Sequence, residues 1–250
     1  MIISTYRRPQ FLGELVESIF SQSHAPLEII VVEGGDADSL LATKSALARW
    51  GDFVKIFLLE GSTLGASRNY GAQIASGDWC VFSDDDDLWH PNKLAALSEC
   101  VGFHDVISHA YHSSSKPNLN EFGILPVRGQ PIVRTAYSLF LHFLGNRYGG
   151  GSSLSARSIT CKAIKFDEAM RSCEDIEWII RCLFAGMRMG FIQKPLVIYR
   201  QHGSRMTGSQ YKVARWEVEM LRRFYFIPVG IMFGFVGKIV RVCVRLILSR

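Results

Sequence analysis

Short apolar runs alternate with stretches of helical periodicity over roughly the first hundred residues. Ile2 and Ile3 head a first strand over residues 1–5. Arg8-Pro9 then opens a helix whose apolar positions Phe11, Leu15, Ile19 and Phe20 follow helical spacing. Residues 27–32 form a continuous, largely β-branched run, the pattern of a strand buried on both faces, and Glu33-Gly34-Gly35-Asp36 supplies a turn at its end. A helix over 39–50, a strand over 54–59, a helix from Gly65 to about Gly77 and a further strand through Cys80-Val81-Phe82 continue the alternation. Strands and helices in this order predict an α/β fold with a parallel, doubly wound sheet. The pattern loosens from 104 to 151. Val106-Ile107 suggests a strand, 113–131 is polar and turn-rich, 137–144 is an apolar helix candidate, and Gly149-Gly150-Gly151-Ser152-Ser153 reads as a flexible hinge. Order returns after Phe166, with an acidic turn, a helix over 174–185 and a strand over 196–199.

The strand at 80–83 ends in four consecutive carboxylates, Asp84 to Asp87, followed by Leu88-Trp89. Adjacent acids repel one another, so a fold holds them best where a cation compensates. At the C-terminal end of a parallel strand they stand where open α/β sheets bind ligands. Side-chain alternation places Asp84 and Asp86 on one face and Asp85 and Asp87 on the other. Oxygen-only ligands suit Mg²⁺ or Mn²⁺ shared with substrate phosphates. For the acids taken alone the alternative is a solvated turn; the apolar residues on both sides weigh against it.

Composition narrows the class. The chain has 250 residues, is 48% hydrophobic and 20% charged, and is globular in character. Its six cysteines form no CxxC pair, which fits reduced thiols and indicates neither a zinc site nor a disulfide framework. The first residues lack the basic stretch and apolar length of a secretory signal, so a cytoplasmic location is expected. Although the net charge is +5, residues 212–250 carry eight Lys or Arg against two Glu, which leaves the rest slightly acidic. A general nucleic-acid-binding surface is therefore not expected. No Gly-rich loop ending in Gly-Lys-Ser/Thr occurs.

Several segments, in order, resemble glycosyltransferase family 2, the inverting enzymes with a GT-A fold. They are Ile2 to Pro9, Ile29 to Gly35, Gly65 to Gly71 with its Arg68-Asn69, the acids from Phe82 to Trp89, Cys173-Glu174-Asp175-Ile176-Glu177-Trp178, and Tyr199-Arg200-Gln201-His202. The resemblance covers roughly 1–207. It implies a GT-A domain over 1–210, with a nucleotide-sugar-binding half (1–103) and an acceptor-binding, catalytic half (104–210). It also implies Asp84, with Asp85 nearby, at the donor's ribose, and Asp86 at a Mn²⁺ or Mg²⁺ ion bridging the diphosphate. Thr5 and Glu33 would line the nucleobase pocket, where Glu33-Gly34-Gly35 departs from the family's usual Asp-Asp-Gly. Arg68, near a helix start, would meet phosphate. Asp175 would be the base that takes the acceptor's proton, with Glu174 and Trp89 toward the acceptor and His202 completing the metal shell. The implied donor is a nucleoside diphosphate sugar, a UDP-sugar first, and the implied acceptor a glycan or lipid-linked saccharide.

The tail, 211–250, combines a basic stripe (Lys238, Arg241, Arg245) with a wide apolar face. That suits the inner surface of an anionic membrane. A helix packed on the protein itself, or a marginal span over 224–248, are the alternatives. Two other functions remain open at this point: a metal-dependent phosphohydrolase or nucleotidyltransferase using the same acids, and a non-catalytic nucleotide-binding member of the fold.

Overall fold

The computed structural model describes residues 1–123, 132–133, 150–203 and 210–223. The expected tail from 224 onward, the apolar helix at 137–144 and residues 124–131 of the turn-rich stretch lie outside these residues.

The central strand is β1 (Ile2–Thr5), flanked in parallel by β2 (Ile29–Glu33) and β4 (Trp79–Asp84), with β3 (Val54–Leu58) parallel to β2. Alternation along these strands feeds two cores. Ile3, Val31 and Val81 face α1 (Pro9–Phe20) and α2 (Ala37–Leu47); Ile2, Ile30, Val32 and Phe82 face the other way, where α3 (Leu64–Ile74) packs. Burial on both faces explains the continuous β-branched run. Gly71 lets α3 approach closely, since a Cβ there would stand 2.5 Å from Ile2 Cγ2.

Beyond β4 the sheet is mixed. After the short β5 (Leu88–Trp89) and α4 (Lys93–Ser98) come β6 (Val106–Ser114), β7 (Ile132–Val133) and β8 (Leu154–Arg157). Then follow α5 (Ser158–Ala163), α6 (Glu174–Phe184), β9 (Met189–Arg200) and α7 (Gln210–Arg223). The strand order is β3-β2-β1-β4-β8-β6-β9-β5, with β7 on β9. Strand β8 is antiparallel to both β4 and β6, while β6 and β9 run parallel. The expected α/β class therefore stands, with β3-β2-β1-β4 wholly parallel and the remainder mixed.

Several boundaries moved for local reasons. Helix α2 starts two residues earlier than its periodicity suggested, because Asp36 and Ser39 form a reciprocal capping box. Leu27 is 79% exposed and precedes its strand. The expected Gly-rich hinge is, over Gly151–Ser153, a buried 3₁₀ turn. In α7, Met220 is buried and packs with Met170 and Ile180, so the described start of the expected tail rests on the domain's own core. Among the described residues no helix is long and apolar enough to cross a membrane, and the described cysteines form no disulfide with one another.

Candidate active site

The C-terminal ends of β1, β2 and β4 deliver Thr5, Glu33 and Asp84 to one edge of the sheet. Donors from Arg68, Arg8, Thr5, His202 and the Arg200 backbone meet the four acids there, with Arg8 shared by Asp85 and Asp86, and offset the repulsion among them. Asp84 accepts from Arg68 Nη2 at 2.8 Å, and its backbone N–H donates to Ser152 Oγ. Asp85 is fully buried. Its Oδ2 accepts from Thr5 Oγ1 at 2.7 Å and Arg8 Nε at 3.1 Å, and its Oδ1 lies 2.6 Å from Arg8 Nη2. Asp86 Oδ2 takes both Arg8 Nη1, at 2.7 Å, and His202 Nε2, at 2.8 Å. Asp87 is also fully buried, with Oδ1 accepting from the Arg200 backbone N–H. Alternation survives the turn: Asp84 and Asp86 face a common cavity, while Asp85 and Asp87 point inward. Burial pushes the Asp85 carboxyl up to about 7, against the pull of Arg8.

That cavity, about 120 Å³, is lined by Arg8, Arg68, Asp84, Asp86, Gly150, Gly151, Glu174, Asp175 and Tyr199, among others. Asp175 stands in the first turn of α6, where acids complement the helix dipole. Burial, reinforced by the charge of Glu174 and opposed by Arg68, raises its carboxyl to about 7. Arg68 is itself fully buried, with Nη1 donating to Glu174 at 2.6 Å and Nη2 to Asp84. One guanidinium thus ties the acidic strand end to the helix that carries Asp175, although the two lie about ninety residues apart in the chain.

Not every expected residue reaches the cavity. Trp89 is wholly enclosed in the core, with Nε1 donating to Ser83 Oγ, and offers no face to a sugar. Glu33 is also wholly buried. Its Oε1 accepts from the backbone N–H groups of Arg7 and Gly35 at 3.1 and 2.7 Å, and its Oε2 from Thr43 Oγ1, so it braces the β1 and β2 loops. Thr5 reaches the site through Asp85. Arg8, expected only as a helix start, stands instead at the centre of the acids; its place just beyond a strand's C-terminal end was the available signal. Asn69 was legible as part of a motif but not in its role. It pairs reciprocally with the Phe166 backbone, anchoring the loop before α6.

Whether these residues fit a divalent ion turns on Asp86 and His202. Asp86 Oδ2 and His202 Nε2 converge at the cavity rim, yet no group of three His, Cys, Asp or Glu among the described residues is arranged to hold an ion. The residues therefore fit an ion held jointly with phosphate oxygens, not a cage made by protein alone.

A family model described as Glycosyl transferase family 2 matches residues 1–166. The chain belongs to glycosyl transferase family 2. It is 27% identical to an uncharacterized glycosyltransferase of Haemophilus influenzae, over 73% of this chain and 61% of that protein. It is 26% identical to the amylovoran biosynthesis glycosyltransferase AmsB of Erwinia amylovora, over 85% and 72%. The chain thus spans less than two thirds of the Haemophilus relative. Among solved structures, S. aureus TarS 1–349 in complex with UDP-GlcNAc superposes with a TM-score of 0.67 at 16% identity, over 95% of this chain and 69% of that one. Mannosyltransferase PcManGT from Pyrobaculum calidifontis, in complex with GDP-Man and Mn²⁺, gives 0.68 at 16% identity, over 99% and 71%. The fold is that of GT-A glycosyltransferases.

Proposed function

We propose that this family member is an inverting glycosyltransferase that moves a hexosyl group from a nucleoside diphosphate sugar to a hydroxyl of a glycan or lipid-linked saccharide. The observation that carries this reading is the cavity itself. It sets Asp84, at the end of β4, and Asp86, in the turn after it, apart from Asp175 on α6, and the Asp175 carboxyl is held at about 7. A base near neutrality can accept a proton from an attacking hydroxyl under working conditions. In the step, the acceptor oxygen bonds to the anomeric carbon, its proton passes to Asp175, and the nucleoside diphosphate departs on the opposite side with inversion. Asp84 and Asp85, with Thr5 behind, shape the ribose end. Asp86 and His202 would hold a Mn²⁺ or Mg²⁺ ion, which when bound neutralises charge on the departing diphosphate. Arg68 keeps the two sides in register, and Glu174 stands beside the base.

A nucleoside diphosphate donor, a UDP-sugar first, is supported by neighbours of the same fold that hold UDP-GlcNAc or GDP-Man. A role in surface polysaccharide synthesis is supported by the name of the amylovoran biosynthesis glycosyltransferase AmsB. The basic, apolar segment after 223 would carry peripheral contact with the cytoplasmic face of an anionic membrane.

The test is calorimetric binding of UDP, GDP and their sugars with and without Mn²⁺, on the natural sequence and on Asp86→Ala. Metal-dependent binding of one nucleotide, lost in Asp86→Ala, supports the donor site. Absence of binding to every nucleotide with metal present removes it.

A further inference from the structure

Asp86 Oδ2, the oxygen a divalent ion would need, already carries two nitrogen donors: Arg8 Nη1 at 2.7 Å and His202 Nε2 at 2.8 Å. The same guanidinium grips Asp85 through Nε and Nη2, so all three of its nitrogens are engaged with the acidic pair. We propose that Arg8 is a built-in counter-ion for Asp85 and Asp86, holding the cation's place while no nucleotide is present and yielding it when a diphosphate enters the cavity. This rests on the glycosyltransferase reading and adds to it an account of why metal and nucleotide bind together.

The local structure aims Arg8 at this position. Arg7, just before it, has a left-handed backbone with φ of 54°, a conformation that side-chain-bearing residues adopt at a cost. The Arg7 backbone N–H is held there by the buried Glu33 carboxylate at 3.1 Å. On the other side Pro9 occupies the first turn of α1 and disfavours a helical backbone at Arg8. The buried Glu33 is therefore the brace that directs Arg8 across to the acids.

The arrangement can also release. The Arg8 side chain is 18% exposed and lines the cavity, whereas Asp85 is fully enclosed and cannot follow it. A bare divalent ion approaching Asp86 meets a fixed positive charge within hydrogen-bond distance of its ligand oxygen, which opposes binding. A diphosphate in the cavity offers the guanidinium a forked anionic partner of equal geometry. Metal and nucleotide then favour one another, and by linkage each raises the other's affinity by the same factor.

The experiment is Mn²⁺ binding followed by electron paramagnetic resonance, without any turnover, on the natural sequence, Arg8→Gln, Arg8→Lys and Asp86→Asn, each alone and with saturating UDP or GDP. Circular dichroism melts accompany it to confirm folding. Without nucleotide, Arg8→Gln is expected to bind Mn²⁺ about tenfold more tightly than the natural protein. The factor by which nucleotide improves Mn²⁺ affinity is expected to shrink. Arg8→Lys keeps the charge without the fork and is expected to fall between the two, so it carries the test if Arg8→Gln does not fold. If Mn²⁺ binding needs nucleotide and is lost in Asp86→Asn, but Arg8→Gln binds free Mn²⁺ no better, the counter-ion is overturned and the donor site stands. If no protein binds Mn²⁺ even with nucleotide, the counter-ion and the metal site fall together.

Discussion

Arg68 Nη1 lies 2.6 Å from Glu174 Oε1, and both side chains are almost wholly enclosed. A buried guanidinium that also serves Asp84 leaves two carboxylates uncompensated once it is removed. Arg68→Met is therefore expected to destabilise the protein by about 3–5 kcal/mol at pH 7. The loss is expected to be smaller at pH 5, because burial already raises the Asp84 carboxyl and it takes up a proton more readily there. Urea melts at the two pH values check this. Equal losses at both would mean that the charges are not the cause.

Asp175→Asn separates two consequences of one carboxyl. As the proposed base, its removal should lower turnover by at least about a hundredfold. In the natural protein, activity should climb as pH rises through about 7, because only the deprotonated form accepts a proton. Stability runs the other way. A carboxyl raised from its ordinary 3.8 to about 7 binds protons more tightly in the folded state, so its contribution is present below pH 4 and lost as pH rises to 7. Asp175→Asn should accordingly gain stability relative to the natural sequence at pH 8, by roughly 2 kcal/mol, and not at pH 4. Paired pH–rate profiles and thermal melts measure both.

The parallel half of the sheet was legible because its code is local: apolar runs of strand length, helical periodicity between them, and turn residues at each junction. The acids at 84–87 were legible because so costly a cluster needs a reason. What escaped depends on contacts between distant segments. Nothing near Glu33 reveals that Arg7 and Gly35 will converge on it, and nothing near Trp89 reveals that Lys93 will lie over its ring 3.4 Å from the centroid. Three consecutive glycines resemble a hinge until Ser152 is seen to bond Asp84 and Lys93.

That turn leads to a steric prediction. A Cβ on Gly151 would overlap the Arg68 guanidinium and stand 2.8 Å from Asp84 Oδ1. Because Arg68 is held on both sides, it cannot easily move aside. Gly151→Ala should push the turn into the cavity and weaken nucleotide binding by about tenfold or more, at a stability cost of about 1–3 kcal/mol. Calorimetric titration with the nucleotide that binds the natural protein would show it. Unchanged affinity would mean that the turn does not wall the donor site.

Lys93 supports the same turn from beneath. It is fully buried, and its Nζ donates to the Ser152 carbonyl at 2.6 Å. Burial holds the amine well below its ordinary 10.5, so the folded protein binds this proton less tightly than the unfolded chain. The unfavourable contribution fades as pH rises toward 10.5, and stability should increase over that range. Lys93→Met retains the length and apolar contacts while removing the charge, so it should change stability at pH 7 by no more than about 1 kcal/mol and flatten the alkaline rise. Lys93→Ala, which leaves a void, should cost about 2–4 kcal/mol. Turnover should fall in both variants, because neither holds Ser152 and the Gly150–Gly151 wall opposite the acids. A melt series from pH 7 to 10, run beside steady-state rates, separates the charge from the clamp. Full activity in Lys93→Met would show that the turn keeps its place without the lysine.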